Sequence, residues 1–375
     1  MTRLPRVALL GGDGGPSGVP RHLRHLARAF EGVAEVAVVS EPDRGGFGWT
    51  GETGVRHLPI EGLSSSPDPR RAARAGRALG EALDALAPDL VWAHARMTLP
   101  LARRLAPGRP WRLAATYHGL PFGPGHGRLR SRASRALEEA ALRWAPPHHL
   151  VFLTEEDRLA FPARLLARHE AHVLPNCSDL GGFAPRDAAP GSGPGSGPLR
   201  LVMLTRDARQ KDLPGAARLL ARVGPDVELH LHGMGTDAPS LRARLAPHLG
   251  GAGPRLRLHG PTADVRPVLA AADLLLVTSR YEGLSIAALE AMEWGLPVAS
   301  TPVGGAATLA RHHPTMALLD PADPEGSARA AENLARAFRA DRARLAARIH
   351  AAWAEAFSPE VFGGNARALL WRMLP

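Results

Sequence analysis

The chain has 375 residues, enough for two or more domains of ordinary size, and its composition of 45% hydrophobic and 22% charged residues is typical of globular proteins. Its aliphatic runs are far shorter than the roughly 20 residues that span a bilayer, and the N-terminus has no apolar segment typical of a signal peptide. The single cysteine, Cys177, excludes an internal disulfide and a cysteine-based zinc site. These features predict a cytoplasmic protein.

The formal net charge is +10, and of the 46 basic residues only Lys211 is a lysine. This arginine bias, with abundant Ala, Gly and Pro, indicates a GC-rich coding sequence rather than a function. Aromatic residues are only 5% of the chain, and no nucleic-acid-binding motif is present. The sequence therefore predicts that nucleic acid is not a partner.

The first half of the chain alternates short apolar runs with helical patterns. Residues 6–10 predict a buried strand, and residues 20–30 predict an amphipathic helix after a glycine-rich loop. Further strands are predicted at Val36–Val39, Leu90–Ala93, Leu113–Tyr117, Leu150–Leu153 and His172–Leu174. Because such runs suit parallel strands covered on both faces, residues 1–183 are predicted to form a doubly wound α/β domain.

Residues 184–198 are rich in Gly, Ser and Pro and predict a flexible linker. The alternation resumes with predicted strands at Leu199–Leu204, Val227–His232, Leu256–Leu258, Leu274–Thr278 and Val298–Ser300. Residues 199–357 are thus predicted to form a second α/β domain, closed by one helix over Ser327–Ala356, with a cleft between the domains. A last helical run occupies residues 358–375.

Residues 271–305 are the most informative stretch. The strand Leu274–Thr278 ends in polar residues, and a short helix over Ile286–Trp294 follows, with Ser285 as its predicted N-cap. A helix that begins at the carboxyl end of a parallel strand directs its free N–H groups and its dipole toward a ligand. This turn therefore predicts a phosphate site.

Two glutamates accompany this turn, Glu282 before the helix and Glu290 within it. Their spacing corresponds to about 12 Å of helix, too far for the two carboxylates to share a proton. Such a pair can hold two parts of one long ligand, on either side of a phosphate. The spacing alone favours the simpler interpretation, a solvated helix face.

A second candidate element, TRDARQKD, follows the first strand of the second domain. Arg206 and Lys211 fall at the end of that strand and the start of its helix, where two cations suit a diphosphate leaving group. Because arginine fills almost every other basic position, the one lysine indicates a need for a compact ammonium ion at residue 211.

In the first domain, the loop Gly11–Gly18 lacks the dinucleotide-binding fingerprint, although its glycines permit close approach of a ligand. His118 follows the strand Leu113–Tyr117 beside a glycine, which places it at the predicted cleft; a structural histidine is the equal alternative. His94 is placed similarly. No acidic or cysteine companions stand at metal-ligand spacing from the histidines, so no metal site is predicted.

Together these features resemble the retaining glycosyltransferases of family 4, also described as glycosyl transferases group 1, which have the GT-B fold. The resemblance covers nearly the whole chain, through GGPSGVPRHLRHLARAF, PDLVWAH, ATYHGLPF, VFLTEEDR, VLPNCSDLGGF, the R-x4-K pair, HLHGMG, and the long segment that ends in GLPVASTPVGG. Glu282 and Glu290 then resemble the E-x7-E pair of that family, which outweighs the solvated-face interpretation.

The resemblance implies a nucleotide-diphosphate sugar as donor substrate, with no cofactor and no divalent metal, and transfer with retention by front-face attack. Arg206 and Lys211 would hold the diphosphate, helped by backbone groups of Gly283, Leu284 and Ser285. Glu290 would hold the ribose and Glu282 the transferred sugar. Gly18 would lie near the phosphates and His118 near the sugar and the acceptor. The final helix would cross back to the first domain.

Asp212 and Cys177 depart from the family pattern, because glycine is usual at both positions. The resemblance also suggests an acceptor in bacterial exopolysaccharide, cell-surface glycan or glycolipid synthesis. The helical pattern Arg128–Ala145 is basic and amphipathic, which is typical of peripheral membrane contact at the inner face; a surface helix packed on its own domain is the equal alternative.

Two other functions fit the same resemblance. A nucleotide-sugar 2-epimerase shares the GT-B architecture, and product analysis without acceptor would distinguish it from a transferase. A catalytically inert glycan- or membrane-binding relative would keep the fold and lose the site, against which the intact Glu282, Glu290, Arg206 and Lys211 argue.

Overall fold

The structure, a computed structural model, describes residues 3–64, 68–123, 125–184 and 197–374. These residues form two compact units. The first comprises Met1–Phe122, Arg128–Cys177 and Pro359–Pro375, and the second comprises Gly123–Gly127 and Ser178–Ser358. The N-terminal stretch of the first unit runs to Cys177, and Ser178 begins the long stretch of the second unit. Most of the predicted linker, residues 185–196, lies outside the described residues.

The described part of the first unit contains a seven-stranded parallel sheet in the order β3-β2-β1-β4-β5-β6-β7. The strands are β1 (Arg6–Leu10), β2 (Glu35–Ser40), β3 (Arg56–Pro59), β4 (Leu90–Ala93), β5 (Arg112–Tyr117), β6 (His149–Phe152) and β7 (Glu170–Val173). The helices are α1 (Gly18–Ala29), α2 (Trp49–Thr53), α3 (Pro69–Leu86), α4 (Thr98–Leu105), α5 (Arg128–Trp144), α6 (Glu155–Leu159) and α7 (Ala163–Leu166).

Helices cover both faces of this sheet, which is why its central strands are continuously apolar. Ala8 and Leu10 of β1 belong to a core with α3 and α4, whereas Val7 and Leu9 belong to a second core on the opposite face. The carboxyl ends of all these parallel strands consequently meet at one edge, where the loops after β1, β4 and β5 begin.

The second unit contains, in its described residues, a six-stranded parallel sheet in the order β10-β9-β8-β11-β12-β13. The strands are β8 (Leu199–Leu204), β9 (Val227–His232), β10 (Leu256–Leu258), β11 (Leu274–Val277), β12 (Val298–Ser300) and β13 (Met316–Leu318). The helices are α8 (Leu213–Leu220), α9 (Pro239–Leu249), α10 (Arg266–Ala270), α11 (Ile286–Glu293), α12 (Ala306–His312), α13 (Pro324–Ala340) and α14 (Arg342–Phe357).

The last helix, α15 (Pro359–Met373), belongs to the first unit and packs along α1. Its apolar residues complete the core of Val7 and Leu9; they are Phe362, Ala366, Leu369, Leu370 and Met373. The guanidinium of Arg367 also donates to the Ala29 carbonyl oxygen at 3.2 Å. The C-terminal segment is thus a structural part of the N-terminal sheet domain.

The predicted single helix over Ser327–Ala356 is wrong, because α13 and α14 are separate helices that meet at Asp341. The break lies between two arginines that converge on one buried carboxylate: Arg339 and Arg342 both form ion pairs with Asp273, which is 1% exposed.

Within the described residues, no helix has the length and apolar character needed to cross a membrane.

Candidate active site

The main candidate site forms at the carboxyl edge of the second sheet, where two loops from neighbouring strands meet. β8 and β11 are paired in parallel, so the loop that carries Arg206 and Lys211 begins beside the loop that carries Glu282. Sheet topology therefore brings together residues that are far apart in sequence.

The central contact joins Lys211 and Glu282. The Lys211 Nζ lies 2.5 Å from Oε1 of Glu282, and the two side chains are 19% and 12% exposed. Ser279 Oγ donates to the same carboxylate oxygen at 2.7 Å, and the Gln210 side-chain amide donates to the other oxygen at 3.3 Å. Three donors therefore orient one largely sheltered carboxylate at the edge of the sheet.

Hydrogen bonds also fasten the two loops to each other. The Arg280 N–H donates to the Gln210 carbonyl at 2.7 Å, and the Gln210 amide donates to the Tyr281 carbonyl at 2.9 Å. Thr278 Oγ1 donates to the Lys211 carbonyl at 2.9 Å. Gln210 thus joins its own loop to the loop that carries Glu282. Sequence reasoning missed it because a neutral side chain between Arg206 and Lys211 has no distinguishing pattern.

The backbone conformation of Asp212 accounts for the glycine that the family pattern has at this position. Its φ of 44° lies in the left-handed region, where glycine is the least strained residue. Aspartate tolerates this region better than most residues, and here its carboxylate accepts a hydrogen bond from Arg280 at 2.7 Å. The substitution thus exchanges backbone freedom for a contact between the two loops.

The turn before α11 places Gly283 and Leu284, both buried, at the start of the helix. Gly305 lies directly against them in the left-handed region at φ 75°, where an added Cβ would stand 2.7 Å from the Gly283 oxygen. Ser285 occupies the N-cap position as predicted, but its side chain makes no capping hydrogen bond. The backbone N–H groups at the start of α11 can therefore donate hydrogen bonds to a bound anion.

Glu290 lies inside α11 and is only 4% exposed. A solvated helix face is therefore the wrong interpretation for this residue. Arg206, in contrast, is exposed, and its guanidinium has no ion-pair partner among the residues that the structure describes. It lies in the same loop as the paired Lys211.

The short segment Gly123–Gly127 belongs to the second unit, although its position in sequence predicts the first. The His126 ring stacks on Tyr281, the residue before Glu282, with centroids 4.3 Å apart. Gly125 has φ 87°, and an added Cβ would stand 1.4 Å from the Arg280 oxygen. Only glycine allows the backbone at this position to lie so close to the loop that carries Glu282.

In the first unit, the predicted residues lie at the carboxyl edge of its sheet. Gly18 is exposed at the first position of α1, whose N-cap residue Ser17 makes no side-chain capping bond. His118 follows β5 and His94 follows the neighbouring β4; His94 Nδ1 lies 3.3 Å from His118 Nε2. Burial lowers the pKa of His118 to about 4, so its imidazole is neutral at pH 7.

A cavity of about 470 Å³ lies elsewhere in the second unit and is lined mainly by apolar side chains, among them Phe183, Trp294, Leu296 and Phe338. None of the predicted site residues lines it. The paired charges and loop contacts at the sheet edge, rather than this cavity, define the candidate active site.

Two doubly wound parallel sheets of this order define the GT-B class of fold, and the fold comparisons confirm it. The Anabaena protein HepE in complex with UDP-glucose matches with a TM-score of 0.77 and 20% identity over 98% of this chain and 99% of that one. Sucrose-phosphate synthase from Thermosynechococcus elongatus matches with a TM-score of 0.80 and 18% identity over 98% of each chain.

Two family models then identify the chain. One, described as Glycosyltransferase Family 4, matches residues 16–181, and the other, described as Glycosyl transferases group 1, matches residues 202–337. The chain belongs to this glycosyltransferase family, which confirms the resemblance found in the sequence.

Curated relatives match over part of their length. The lipopolysaccharide core biosynthesis glycosyltransferase LpsE of Rhizobium meliloti is 33% identical over 193 residues, 52% of this chain and 55% of the relative. The D-inositol 3-phosphate glycosyltransferase of Thermobispora bispora is 41% identical over 93 residues, 24% of this chain and 22% of the relative. The chain thus matches about half the length of the first relative and less of the second.

Proposed function

We propose that the protein is a retaining glycosyltransferase that moves a sugar from a nucleotide-diphosphate sugar to a glycan or lipid-linked acceptor, in the synthesis of a bacterial cell-surface glycan, exopolysaccharide or glycolipid. The family match supports the reaction class. The name of LpsE and the UDP-glucose complex of HepE support the acceptor class and the donor class, respectively.

The observation that carries this proposal is the Lys211–Glu282 pair beside the start of α11. A departing nucleoside diphosphate accumulates negative charge as the glycosidic bond breaks. A fixed ammonium ion in a sheltered site stabilises that charge more than it stabilises the ground state. Glu282 holds the Lys211 ammonium in place, and its carboxylate accepts hydrogen bonds from hydroxyls of the transferred sugar.

Arg206 and the start of α11 supply the remaining positive potential. The guanidinium of Arg206 is exposed and without an ion-pair partner in the described chain, so an incoming phosphate does not have to displace a carboxylate. Backbone N–H groups near Gly283–Ser285 add the favourable end of the helix dipole. With the leaving group neutralised in this way, the transfer requires no divalent metal. Glu290, buried in α11, accepts from the ribose hydroxyls.

His118 acts on the acceptor side in this proposal, and Gly18 at the start of α1 approaches the phosphates. A histidine that stays neutral at pH 7 both donates and accepts a hydrogen bond, which suits sugar hydroxyls. Front-face transfer places the acceptor hydroxyl beside the leaving diphosphate, which accepts the acceptor's proton. The sugar thus keeps its anomeric configuration.

We also propose that α5 associates peripherally with the inner face of the membrane. Leu129, Leu137 and Trp144 are 83%, 70% and 83% exposed, and helical geometry places them along one side. Arginines flank this side, and the one buried residue of the helix is Leu142. An exposed apolar stripe with a basic border is typical of helices that lie on anionic lipid, where lipid-linked acceptors are found.

The test is a thermal-shift screen of nucleotide sugars, followed by product analysis with and without acceptor. A specific donor raises the melting temperature, and the acceptor converts it to a glycoside with the same anomeric configuration. Glu282→Gln should strongly reduce kcat while leaving measurable residual transfer, whereas Glu355→Gln, which replaces an exposed glutamate on α14, should leave kcat unchanged. Epimerised sugar formed without acceptor would establish the epimerase instead, and binding without turnover would establish an inert relative.

A further inference from the structure

Three histidines of the first unit converge at the edge of its sheet, although they come from three elements. His22 lies on α1, His94 follows β4 and His118 follows β5. One ring nitrogen of each lies within 4.8 Å of the other two. His22 and His94 are 1% and 2% exposed, and His118 is half-buried, which leaves this cluster a route from solvent.

Two nitrogens in this histidine cluster have no hydrogen-bond partner. Nε2 of His22 and Nε2 of His94 are both buried and unsatisfied within the described residues. Buried polar atoms in folded proteins almost always have a partner, so the orphaned Nε2 of His22 indicates a missing ligand in this cluster. The remaining contacts orient the rings: Nδ1 of His22 meets Oδ1 of Asn176 at 2.9 Å.

The Asn176 contact fixes the tautomer of His22. An amide oxygen only accepts, so Nδ1 carries the proton and Nε2 carries the lone pair. This is the arrangement found in metal sites, where the second ring nitrogen donates to an oxygen and orients the ligand.

The ring positions fit a tetrahedral ion. At a Zn–N distance of about 2.1 Å, two ligand nitrogens stand about 3.4 Å apart and two imidazole centroids about 5 Å apart. Here Nδ1 of His94 and Nε2 of His118 are 3.3 Å apart, so His94 would bind the ion through Nδ1. The centroid separations within the cluster are 5.2, 4.8 and 5.5 Å, with the rings tilted or perpendicular to one another.

A second histidine group, on the sheet of the other unit, fits such an ion less well. The rings of His230, His232 and His259 are stacked within 8° of parallel. Because an imidazole lone pair lies in the ring plane, stacked rings cannot direct three lone pairs at one point without rotating. This group therefore serves as the control.

We propose that His22, His94 and His118 form a binding site for a divalent transition-metal ion of the Zn²⁺ type, and that its occupancy withdraws His118 from the acceptor side of the reaction. The binding site stands on the geometry of the cluster alone, whereas the effect on transfer rests on the proposed function. The histidines belong to the first unit, and the proposed function assigns the diphosphate to Arg206 and Lys211 of the second, so we expect the metal to inhibit transfer rather than to take part in it.

The test titrates the full, metal-stripped chain with Zn²⁺ against a chromophoric chelator and with Co²⁺ by visible absorption. The expected result is one tight site with the intense Co²⁺ bands of tetrahedral nitrogen coordination. His22→Gln and His94→Gln should each weaken zinc binding at least about 10-fold, because loss of even a group that only orients a ligand costs about that much. The double variant His230→Gln with His259→Gln should keep the site.

Circular dichroism and melting temperature establish that each variant is folded. Weak octahedral Co²⁺ bands in the wild type, which need no variant, would overturn the site, as would equal zinc affinity in His22→Gln. With an active transferase, zinc should inhibit the wild type and leave the residual activity of His22→Gln unchanged; equal inhibition of both would overturn the effect on transfer. A chain that binds zinc at this site but transfers no sugar contradicts the proposed function and leaves the metal site standing.

Discussion

Replacement of Lys211 tests the central contact of the candidate site. Lys211→Ala removes the ammonium that lies 2.5 Å from Glu282 and leaves that carboxylate with Ser279 and Gln210 as donors. Because the pair is largely sheltered but not fully buried, we expect a loss of about 1–2 kcal/mol in the free energy of unfolding. A domain with the usual stability of about 5–15 kcal/mol remains folded after such a loss.

The effect on turnover should be larger than the effect on stability. Loss of one preorganised electrostatic contact to a developing charge costs about 100- to 1,000-fold in kcat, or roughly 3–4 kcal/mol. Lys211→Arg should also lower kcat, because the planar guanidinium of arginine must displace Ser279 or Gln210 to reach both Glu282 oxygens. Because the positive charge is kept in this variant, the decrease in kcat reports the effect of side-chain geometry alone.

The assay is kcat and donor Kd for each variant, after circular dichroism shows that it is folded. Arg222→Ala is the matched control, since it removes a cation that pairs with Glu325 at 2.8 Å elsewhere in the same unit. In a double-mutant cycle with Glu282→Gln, the two effects on kcat should be strongly non-additive. Wild-type kcat in Lys211→Ala would remove Lys211 from the site and refute the argument from the lone lysine.

Four further outcomes are expected. Transfer should persist in excess EDTA, because arginine and lysine supply the positive charge at the diphosphate; activity is measured before and after Mn²⁺ or Mg²⁺ is added back. Asp212→Ala should melt at lower temperature than Asp212→Gly, because alanine keeps the left-handed strain of about 1 kcal/mol while both variants lose the contact with Arg280. Burial lowers the pKa of His313 to about 4, below its unfolded value of about 6.5, so the unfolded chain takes up the proton first and stability is lost as pH falls from about 6.5 to 4. His313→Gln should reduce this loss by up to roughly 3 kcal/mol in urea titrations across that window. Binding to anionic vesicles should weaken with salt and with Leu137→Ser plus Trp144→Ser, as measured by cosedimentation.

Each of these outcomes has a result that contradicts it. Activity that disappears in EDTA and returns with metal would contradict the metal-free transfer. Equal melting of the two Asp212 variants would show that the backbone there is unstrained. If the free energy of unfolding of His313→Gln falls with pH as steeply as that of the wild type, groups other than His313 cause the loss of stability in acid. For the vesicles, Trp371→Ser is the control, because that tryptophan is 56% exposed on α15; equal losses would exclude α5 as the membrane contact.

The sequence was sufficient to predict the central strands and the main loops of the site. Strands such as β4 and β11 are buried on every residue, and buried parallel strands are short, continuous apolar runs. The edge strands β3 and β13 were missed because they are partly exposed, and β3 ends in a proline. The other two edge strands, β7 and β10, were predicted, although the prediction for β7 was shifted by one to two residues.

Contacts that depend on tertiary structure were not predictable. The break at Asp341 interrupts a continuous helical pattern and becomes intelligible only beside the buried Asp273. The sequence placed His94 and His118 after their strands but did not show that they meet His22, because this convergence depends on β1, β4 and β5 being neighbours in the sheet. The predicted roles of Glu282 and Glu290 came from the family pattern, because spacing alone favours a solvated face.

The position of α15 in the sequence sets an order for folding during synthesis. Phe362, Leu369 and Leu370 fill the core beside β1, yet the ribosome makes them after the whole second unit, residues 178–358. At about 5–20 residues per second, the N-terminal sheet waits roughly 10–40 s for its last helix. The second unit is continuous apart from Gly123–Gly127, so it can fold first. We expect the nascent N-terminal half to expose the apolar surface that α15 later covers, and to depend on chaperones until then.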